Sequence, residues 1–161
     1  MNTDLHSKID RVIFFDGVCG LCNGFVDFLI RVDKEQKFLF CSLQSEKAKV
    51  FFKSNNLNKL NYSKSQNELE NNFRNENLNE LNFSTVVYFK NEKFFTKSQA
   101  IKEIFNDLGG FFKILSIVLN IFPIFVLNKI YDFISKKRYK VFGKRDVCRV
   151  PSLNEKNRFI E

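Results

Sequence analysis

Two cysteines three positions apart follow directly on a short apolar run near the start of the chain, and this arrangement limits what the chain can fold into. The run, residues 12–15 (VIFF), has the length and β-branched content of a buried strand. Beyond the cysteines, apolar residues recur with helical spacing to about Val32. The intervening residues 16–22 (DGVCGLC) are therefore predicted to turn a strand into a helix, and their two glycines ease that turn.

Cys19, the first cysteine of the pair, falls near the start of the predicted helix. The unpaired N–H groups and the dipole of a helix N-terminus favour an anion there. A thiolate is such an anion, and placements of this kind can lower the pKa of a cysteine. A C-x-x-C pair beside a strand–helix unit, in a chain without an export signal, is typical of thiol–disulfide redox proteins.

Three stretches carry a resemblance to a known family. Residues 14–33 (FFDGVCGLCNGFVDFLIRVD) resemble the opening of the DCC family, thioredoxin-like thiol–disulfide oxidoreductases named for their D-x-x-C-x-x-C signature. Residues 98–101 (SQAI) resemble the family's S-x-A-hydrophobic element, and residues 131–134 (YDFI) with 138–145 (RYKVFGKR) resemble its C-terminal block. The resemblance covers most of the chain outside about 54–83. It implies a thioredoxin-like fold and dithiol chemistry, and it defines no substrate.

The spacing of the pair suggests a role for each residue of the motif. We expect Cys19 to attack a substrate disulfide and Cys22, one helical turn further on, to resolve the mixed disulfide. Cys19 is expected to be the more exposed thiol and the first to be alkylated. Asp16 is the nearest acid; it either caps the turn or helps to move a proton to or from the thiols, and capping is the favoured interpretation.

The main competing interpretation is that the two cysteines are half of a zinc site. Another is that they form a structural or vestigial pair. Zinc usually takes four ligands, whereas the chain has no second C-x-x-C and a single histidine, His6. Cys41 and Cys148 are the remaining thiols, and Cys41 lies in a predicted buried strand, where cysteine usually acts as a small hydrophobe. Cys148, among cations, is either a third redox thiol or an incidental packing residue. No metal site and no cofactor are therefore expected, and electrons would come from a partner thiol system.

The remaining pattern predicts one α/β domain over residues 1–161, with a thioredoxin-like core of βαβ plus ββα. Residues 38–41 form the second strand, parallel to the first. A helix follows over about 45–54, with Ser45 as its N-cap. Residues 85–89 and 94–96 form a hairpin, and a helix with Ser98 as N-cap then runs to about Leu108, where two glycines end it.

The stretch from residue 54 to residue 83 is predicted to be an excursion from this fold, because 11 of its 30 residues are Asn. A tolerated insertion is its simplest interpretation. Just beyond it lies the start of the strand that should run beside the C-x-x-C. Thioredoxin-like active sites usually carry a cis-proline there, but residues 83–86 (FSTV) contain none.

A helical C-terminal extension is predicted from about residue 111. Residues 111–127 are apolar except for Lys113, Ser116 and Asn120, whose spacing forms one stripe on a helix. A packed core helix is the favoured interpretation, and an interfacial membrane helix is the alternative. Pro123 interrupts the segment, a final helix over about 125–141 carries a basic cluster, and the tail after Pro151 is predicted to be loosely attached.

The net charge of +8 is explained most simply by a soluble basic surface; an acidic partner or an anionic membrane surface is the alternative. The 21 phenylalanines are expected to fill core positions. No nucleic-acid-binding motif is present, and residues 1–11 lack the apolar core of a secretory signal, so a cytoplasmic location is expected.

The sequence therefore predicts a thiol–disulfide oxidoreductase acting on a protein or a small-molecule thiol or disulfide. Peripheral membrane contact through the C-terminal helices stays open. The non-enzymatic alternative is a membrane-surface or protein-binding module whose cysteine pair is structural.

Overall fold

The centre of the protein is a four-stranded mixed sheet. The computed structural model describes residues 10–54, 85–145 and 147–160, so almost all of the predicted Asn-rich excursion lies outside the described residues. The strand order is β2-β1-β3-β4, with β1 parallel to β2 and antiparallel to β3, and β3 antiparallel to β4. The strands are β1 Arg11–Phe15, β2 Leu39–Ser42, β3 Val87–Lys90 and β4 Lys93–Thr96.

Five α-helices accompany the sheet in the described part of the chain. They are α1 Gly20–Val32, α2 Glu46–Ser54, α3 Lys97–Leu108, α4 Gly110–Ile121 and α5 Ile124–Phe142, and a short 3₁₀ turn follows at Lys156–Arg158. The parallel β1-α1-β2 unit and the β3-β4-α3 unit make up a thioredoxin-like core, and α4 and α5 are additional C-terminal helices. This is the predicted fold class.

The apolar strands are buried on both faces, because helices cover both sides of the sheet. Alternate residues of β1 point to opposite faces: Val12 and Phe14 pack toward α2, and Ile13 and Phe15 pack toward α1 and α3. The prediction that phenylalanine fills the core is confirmed for the sheet and the elements packed on it, whereas several phenylalanines of the C-terminal helices are exposed. The buried phenylalanines include Phe14, Phe15, Phe38, Phe40, Phe52, Phe89 and Phe94.

The ends of two helices test the predicted caps. Ser45 caps α2 as predicted, because its hydroxyl accepts a hydrogen bond from the Ala48 N–H at 3.1 Å. Gly109 ends α3 with a φ of 74°, also as predicted. The prediction that Ser98 caps α3 is wrong, since the helix already begins at Lys97. The Ser98 hydroxyl instead donates to Asn128 Oδ1 at 2.5 Å and so ties α3 to α5.

The C-terminal apolar segment breaks at Pro123, as predicted, but it is not a core helix. Helices α4 and α5 meet at an angle of 110° across this break. Ser116 is the buried residue of α4, and its hydroxyl donates to the Lys102 carbonyl at 3.0 Å. The favoured sequence interpretation is therefore wrong: the helix turns a polar residue inward and leaves most of its large apolar side chains exposed.

The prediction of a loosely attached tail is also wrong. The Ile160 N–H donates to the Phe40 carbonyl at 2.8 Å, and the Phe159 ring packs against the rings of Phe15 and Phe40. Arg158 is buried and forms an ion pair with the buried Asp33. The tail is therefore docked along β2, through long-range partners that local sequence patterns do not show.

The Arg158–Asp33 pair gives a test of this docking. Replacing Arg158 with Ala leaves the Asp33 carboxylate buried without its cation. Breaking a buried pair in this way costs about 3–5 kcal/mol. Asp33 still accepts from two main-chain N–H groups, so we expect a loss near the lower end of that range. Urea denaturation measures the loss, with Lys156→Ala as the exposed control; equal midpoints for the two variants would mean that the tail contributes nothing.

Candidate active site

The C-x-x-C motif lies where β1 turns into α1, as the sequence predicts. Cys19 is the N-cap residue, with an extended backbone (φ −85°, ψ 121°), and the helix begins at Gly20. The buried side chain of Asn23 holds this turn in place. Its Nδ2 donates to the Gly17 carbonyl at 2.9 Å and to the Cys19 carbonyl at 2.8 Å. Both cysteines are thereby fixed at the start of one helix.

The two thiols are neighbours in one buried cluster of side chains. Burial and the neighbouring Cys19 together raise the pKa of the Cys22 thiol to about 12, although the Arg138 guanidinium opposes both effects. Cys22 therefore keeps its proton at neutral pH unless its surroundings change. Neither cysteine is in a disulfide, so the structure represents the dithiol form of the pair.

The prediction that Cys19 is the more exposed thiol is wrong: its exposed fraction is 0%, against 5% for Cys22. Residues 143–145 and 147–149, here called the cover, run over the motif turn. The Gly20 N–H donates to the Gly143 carbonyl at 3.2 Å, and the Arg145 N–H donates to the Val18 carbonyl at 2.8 Å. A side chain at Gly20 would collide with the Phe142 carbonyl, so a glycine there permits this close approach.

Asp16 caps the motif turn, because its Oδ1 accepts from the Val18 N–H at 3.2 Å. The same carboxylate also forms a buried ion pair with Arg138 of α5, with 2.8 Å between Oδ2 and Nη2. The other end of the guanidinium reaches the thiols, with Nη1 3.9 Å from Cys22 Sγ. Asp16 thus positions a cation beside the second cysteine.

Two further polar side chains surround Asp16. Gln44, which follows β2, donates from Nε2 to Asp16 Oδ1 at 2.9 Å and accepts from the Gly17 N–H at 3.0 Å. The Tyr139 hydroxyl donates to Asp16 Oδ2. Burial and this hydrogen bond raise the pKa of Tyr139 to about 12, so the phenol remains a donor over the physiological range. The carboxylate of Asp16 is thus held from three parts of the chain.

An apolar cavity of about 280 Å³ borders Cys22. Val86, at the start of β3, forms part of its wall. The Tyr131 hydroxyl accepts hydrogen bonds from the Val86 N–H at 3.0 Å and from the Thr85 hydroxyl at 2.9 Å, which explains why β3 begins later than predicted. No cis peptide bond occurs among the described residues. The cavity is lined by Leu21, Cys22, Phe25, Val86, Ile101, Tyr131, Ile134, Ser135 and Arg138.

The other two cysteines do not complete a four-cysteine site. Cys41 packs on the opposite face of the sheet from Cys19 and Cys22, and burial raises the pKa of its thiol, as expected for a cysteine that acts as a small hydrophobe. The half-buried Cys148 lies in the cover, with its Sγ 4.0 Å from Gln44 Oε1. Within the described ranges, no three His, Cys, Asp or Glu side chains are grouped as metal ligands.

Several residues of this site were not assigned roles from the sequence. Arg138, Tyr139 and Tyr131 lie in the C-terminal stretch that carries the family resemblance, and that was the available signal. Gln44 and Asn23 gave no signal, because a single polar residue after a strand or inside a helix is common on any surface.

Comparison with known proteins agrees with this arrangement. The model of the DCC1-like thiol-disulfide oxidoreductase family matches residues 13–65 and 49–144. The chain is 33% identical over 151 residues to the uncharacterized protein YuxK of Bacillus subtilis (strain 168), covering 94% of each chain. It is 29% identical over 139 residues to the chloroplastic DCC family protein At1g52590 of Arabidopsis thaliana, covering 86% of this chain and 69% of that protein.

No solved structure matches the chain. The family match spans most of the sequence, and it includes both cysteines of the motif, Asp16 and Arg138. The chain therefore belongs to the DCC1-like thiol-disulfide oxidoreductase family.

Proposed function

We propose that the protein exchanges disulfides with a partner protein or a small thiol, with Cys19 attacking and Cys22 resolving. The observation that carries this proposal is a pair of neighbouring buried thiols at a helix N-terminus, in which burial is the main cause that raises the pKa of Cys22 to about 12. A thiol that keeps its proton is a poor attacking group, because the thiolate is the nucleophile. Cys19, at the N-terminus of α1 where an anion is favoured, is the better candidate.

The exchange has two steps. The Cys19 thiolate attacks one sulfur of the substrate disulfide, forming a mixed disulfide and releasing the other sulfur as a thiolate that takes up a proton. Cys22 then loses its proton and attacks Cys19 Sγ, which forms the Cys19–Cys22 disulfide and releases the second substrate thiol. The substrate gains two electrons and two protons, and the enzyme dithiol loses them. A partner dithiol reverses these steps to restore the reduced pair.

Arg138 supports the second step as a positioning residue. The positive charge near Cys22 Sγ stabilises the thiolate that must form before Cys22 can attack. Asp16 keeps the guanidinium in place through its ion pair. The carboxylate also opposes ionisation of Cys22, but less strongly than Arg138 favours it. The charges of Arg138 and Asp16 together therefore adjust the pKa of the resolving thiol, Cys22.

Two features bear on the substrate. The apolar cavity beside Cys22 suits an apolar group attached to the reacting sulfur. The cover closes Cys19 from solvent through main-chain hydrogen bonds to the motif turn, so substrate must displace the cover to reach this thiol. Both features favour a disulfide carried on a peptide or another group with apolar surface over a small, highly charged disulfide.

Trapping experiments test the assignment of the two cysteines. Cys22→Ser should accumulate mixed disulfides with partner molecules, because the resolving thiol is missing, and reductant should release them. Cys19→Ser should trap few or none. Non-reducing electrophoresis and mass spectrometry report the adducts, and circular dichroism checks that both variants are folded. Equal trapping by the two variants would mean that the roles are wrongly assigned, and no trapping by either folded variant would favour a structural pair.

The role of Arg138 predicts a change in pH dependence. Arg138→Met removes the positive charge that counteracts the effect of burial on the pKa of Cys22. That pKa should therefore rise further, and less thiolate should be present at a given pH. Each unit of that rise reduces the thiolate about tenfold. In a Cys148→Ser background, release of the second thiopyridone from the uncharged reagent dipyridyl disulfide measures resolution. We expect slower release and a profile shifted to higher pH.

Arg138→Lys and the double change Asp16→Asn/Arg138→Met are the controls. The lysine variant keeps the charge and should be affected less. The double variant removes both buried charges, so it should regain stability while its resolution stays slow, since Arg138 acts on Cys22 more strongly than Asp16 does. A pH profile that does not move in either methionine variant would limit Arg138 to a structural role.

A further inference from the structure

Helix α4 is apolar on both sides: Phe112 packs inward against Phe28 and Phe105, on the side of the buried Ser116, and a second apolar stripe faces outward. Ser116 is 4% exposed, whereas Ile121 on the outer side is 76% exposed. A surface helix normally turns its apolar stripe toward the core. At 100° per residue, the exposed members of the stripe fall on one side of the helix. They are Phe111, Ile114, Ile117, Val118 and Ile121.

The exposed apolar surface continues around the corner into α5. Phe122 and Phe125 lie on either side of Pro123, and Ile130, Phe133 and Ile134 follow on α5. Together with the α4 stripe, these ten large side chains form what is here called the apolar face, and each is at least 42% exposed. Scattered apolar residues are normal on a protein surface, but ten large exposed ones on two consecutive helices mark a contact site.

Lysines lie among the residues of the apolar face and beside them. Lys113 on α4 is exposed, as are Lys129, Lys136, Lys137 and Lys140 on α5. Asp132 is the one acidic residue in the sequences of α4 and α5, and it is paired with Lys97 of α3 at 3.1 Å. The Lys137 ammonium lies 4.4 Å from the centroid of the Phe133 ring, so charged and apolar groups interleave on this surface. The occupant of the face must therefore offer apolar material beneath a layer of negative charge.

A second copy of the chain does not meet this requirement, because two such faces in contact would bring two sets of five exposed lysines together. A bilayer with anionic headgroups does meet it. Amphipathic helices with lysine beside apolar residues lie at the boundary between headgroups and acyl chains, with the ammonium groups among the lipid phosphates. No single described helix is long and apolar enough to cross a bilayer, and α4 and α5 reach that length and composition only as a pair bent by 110°.

We propose that the corner formed by α4 and α5 docks the protein on the surface of an anionic membrane. The hydrogen bond from Ser98 to Asn128 and the ion pair of Asp16 with Arg138 fix the inner side of α5 to the domain. Helix α5 therefore presents the apolar face as part of a rigid surface, and it does not need to separate from the domain in order to contact a membrane. This inference does not depend on the thiol chemistry, since none of the residues varied below contributes to the cysteine site.

Vesicle sedimentation tests the proposal. Phosphatidylcholine vesicles containing phosphatidylglycerol should pellet the full-length protein at low salt, and pure phosphatidylcholine vesicles should pellet much less. The double variant Ile117→Asn/Ile121→Asn should lower the partition coefficient at least tenfold. Val50→Asn/Leu153→Asn changes two exposed apolar residues away from the face and should bind as the wild type does.

Charge is tested separately with Lys136→Gln/Lys137→Gln/Lys140→Gln. The matched control, Lys34→Gln/Lys47→Gln/Lys93→Gln, removes the same charge from exposed positions elsewhere. The first triple variant should bind anionic vesicles at least tenfold more weakly than the second, with a smaller dependence on salt.

Circular dichroism and cysteine alkylation establish that each variant is folded and that its thiol pair is intact. If the face variants lose vesicle binding while their cysteine alkylation is unchanged, the result supports membrane docking independently of the proposed function. Failure of the wild type to bind anionic vesicles, or equal binding by the face variants and their controls, overturns the proposal. Sedimentation velocity gives the remaining outcome: a dimer that the Ile117→Asn/Ile121→Asn variant dissociates would assign the face to a second copy instead.

Discussion

The buried ion pair between Asp16 and Arg138 is the interaction on which the site depends. The two residues are 122 positions apart in sequence, and their contact holds the C-terminal half of α5 against the turn that carries the cysteines. Both side chains are 2% exposed, so loss of either one would leave the other buried without its counter-ion, at a cost of about 3–5 kcal/mol. The pair also places a guanidinium nitrogen 3.9 Å from Cys22 Sγ.

Asp16 follows the first strand and Arg138 lies on the last helix, so the same ion pair connects these two parts of the chain at the cysteine site. The turn is fixed on one side by Asn23 and Gln44 and on the other by the cover, and both thiols are buried next to each other. Burial keeps Cys22 protonated, and the cover limits access to Cys19. In our account, chemistry at this pair is controlled by displacement of the cover and by the guanidinium of Arg138. Ile134 joins this site to the apolar face, because it lines the cavity at Cys22 and is also half-exposed.

Local signals predicted the sheet, the main helices and the cysteine pair, because these features depend on short-range pattern. A four-residue apolar run, a Ser45 cap and a Gly109 stop each need only neighbouring residues, and each is found where the sequence places it. The errors arise where distant residues decide the outcome. Cys19 is buried by a segment more than a hundred residues away, and the tail is held by Arg158 at Asp33. Periodicity identified the polar stripe of Lys113, Ser116 and Asn120 on α4, but not that Ser116 would be buried against the domain.

The central claim is that Cys19 and Cys22 form a reversible redox pair. The most direct measurement is peptide mapping of the folded protein after equilibration with a mild oxidant, with the remaining thiols blocked by alkylation before digestion. Our account predicts one disulfide, between Cys19 and Cys22, which dithiothreitol reverses, with Cys41 and Cys148 recovered as alkylated thiols. Recovery of Cys19 and Cys22 as unpaired thiols from the folded, oxidised protein, or one equivalent of zinc bound per chain, would contradict it.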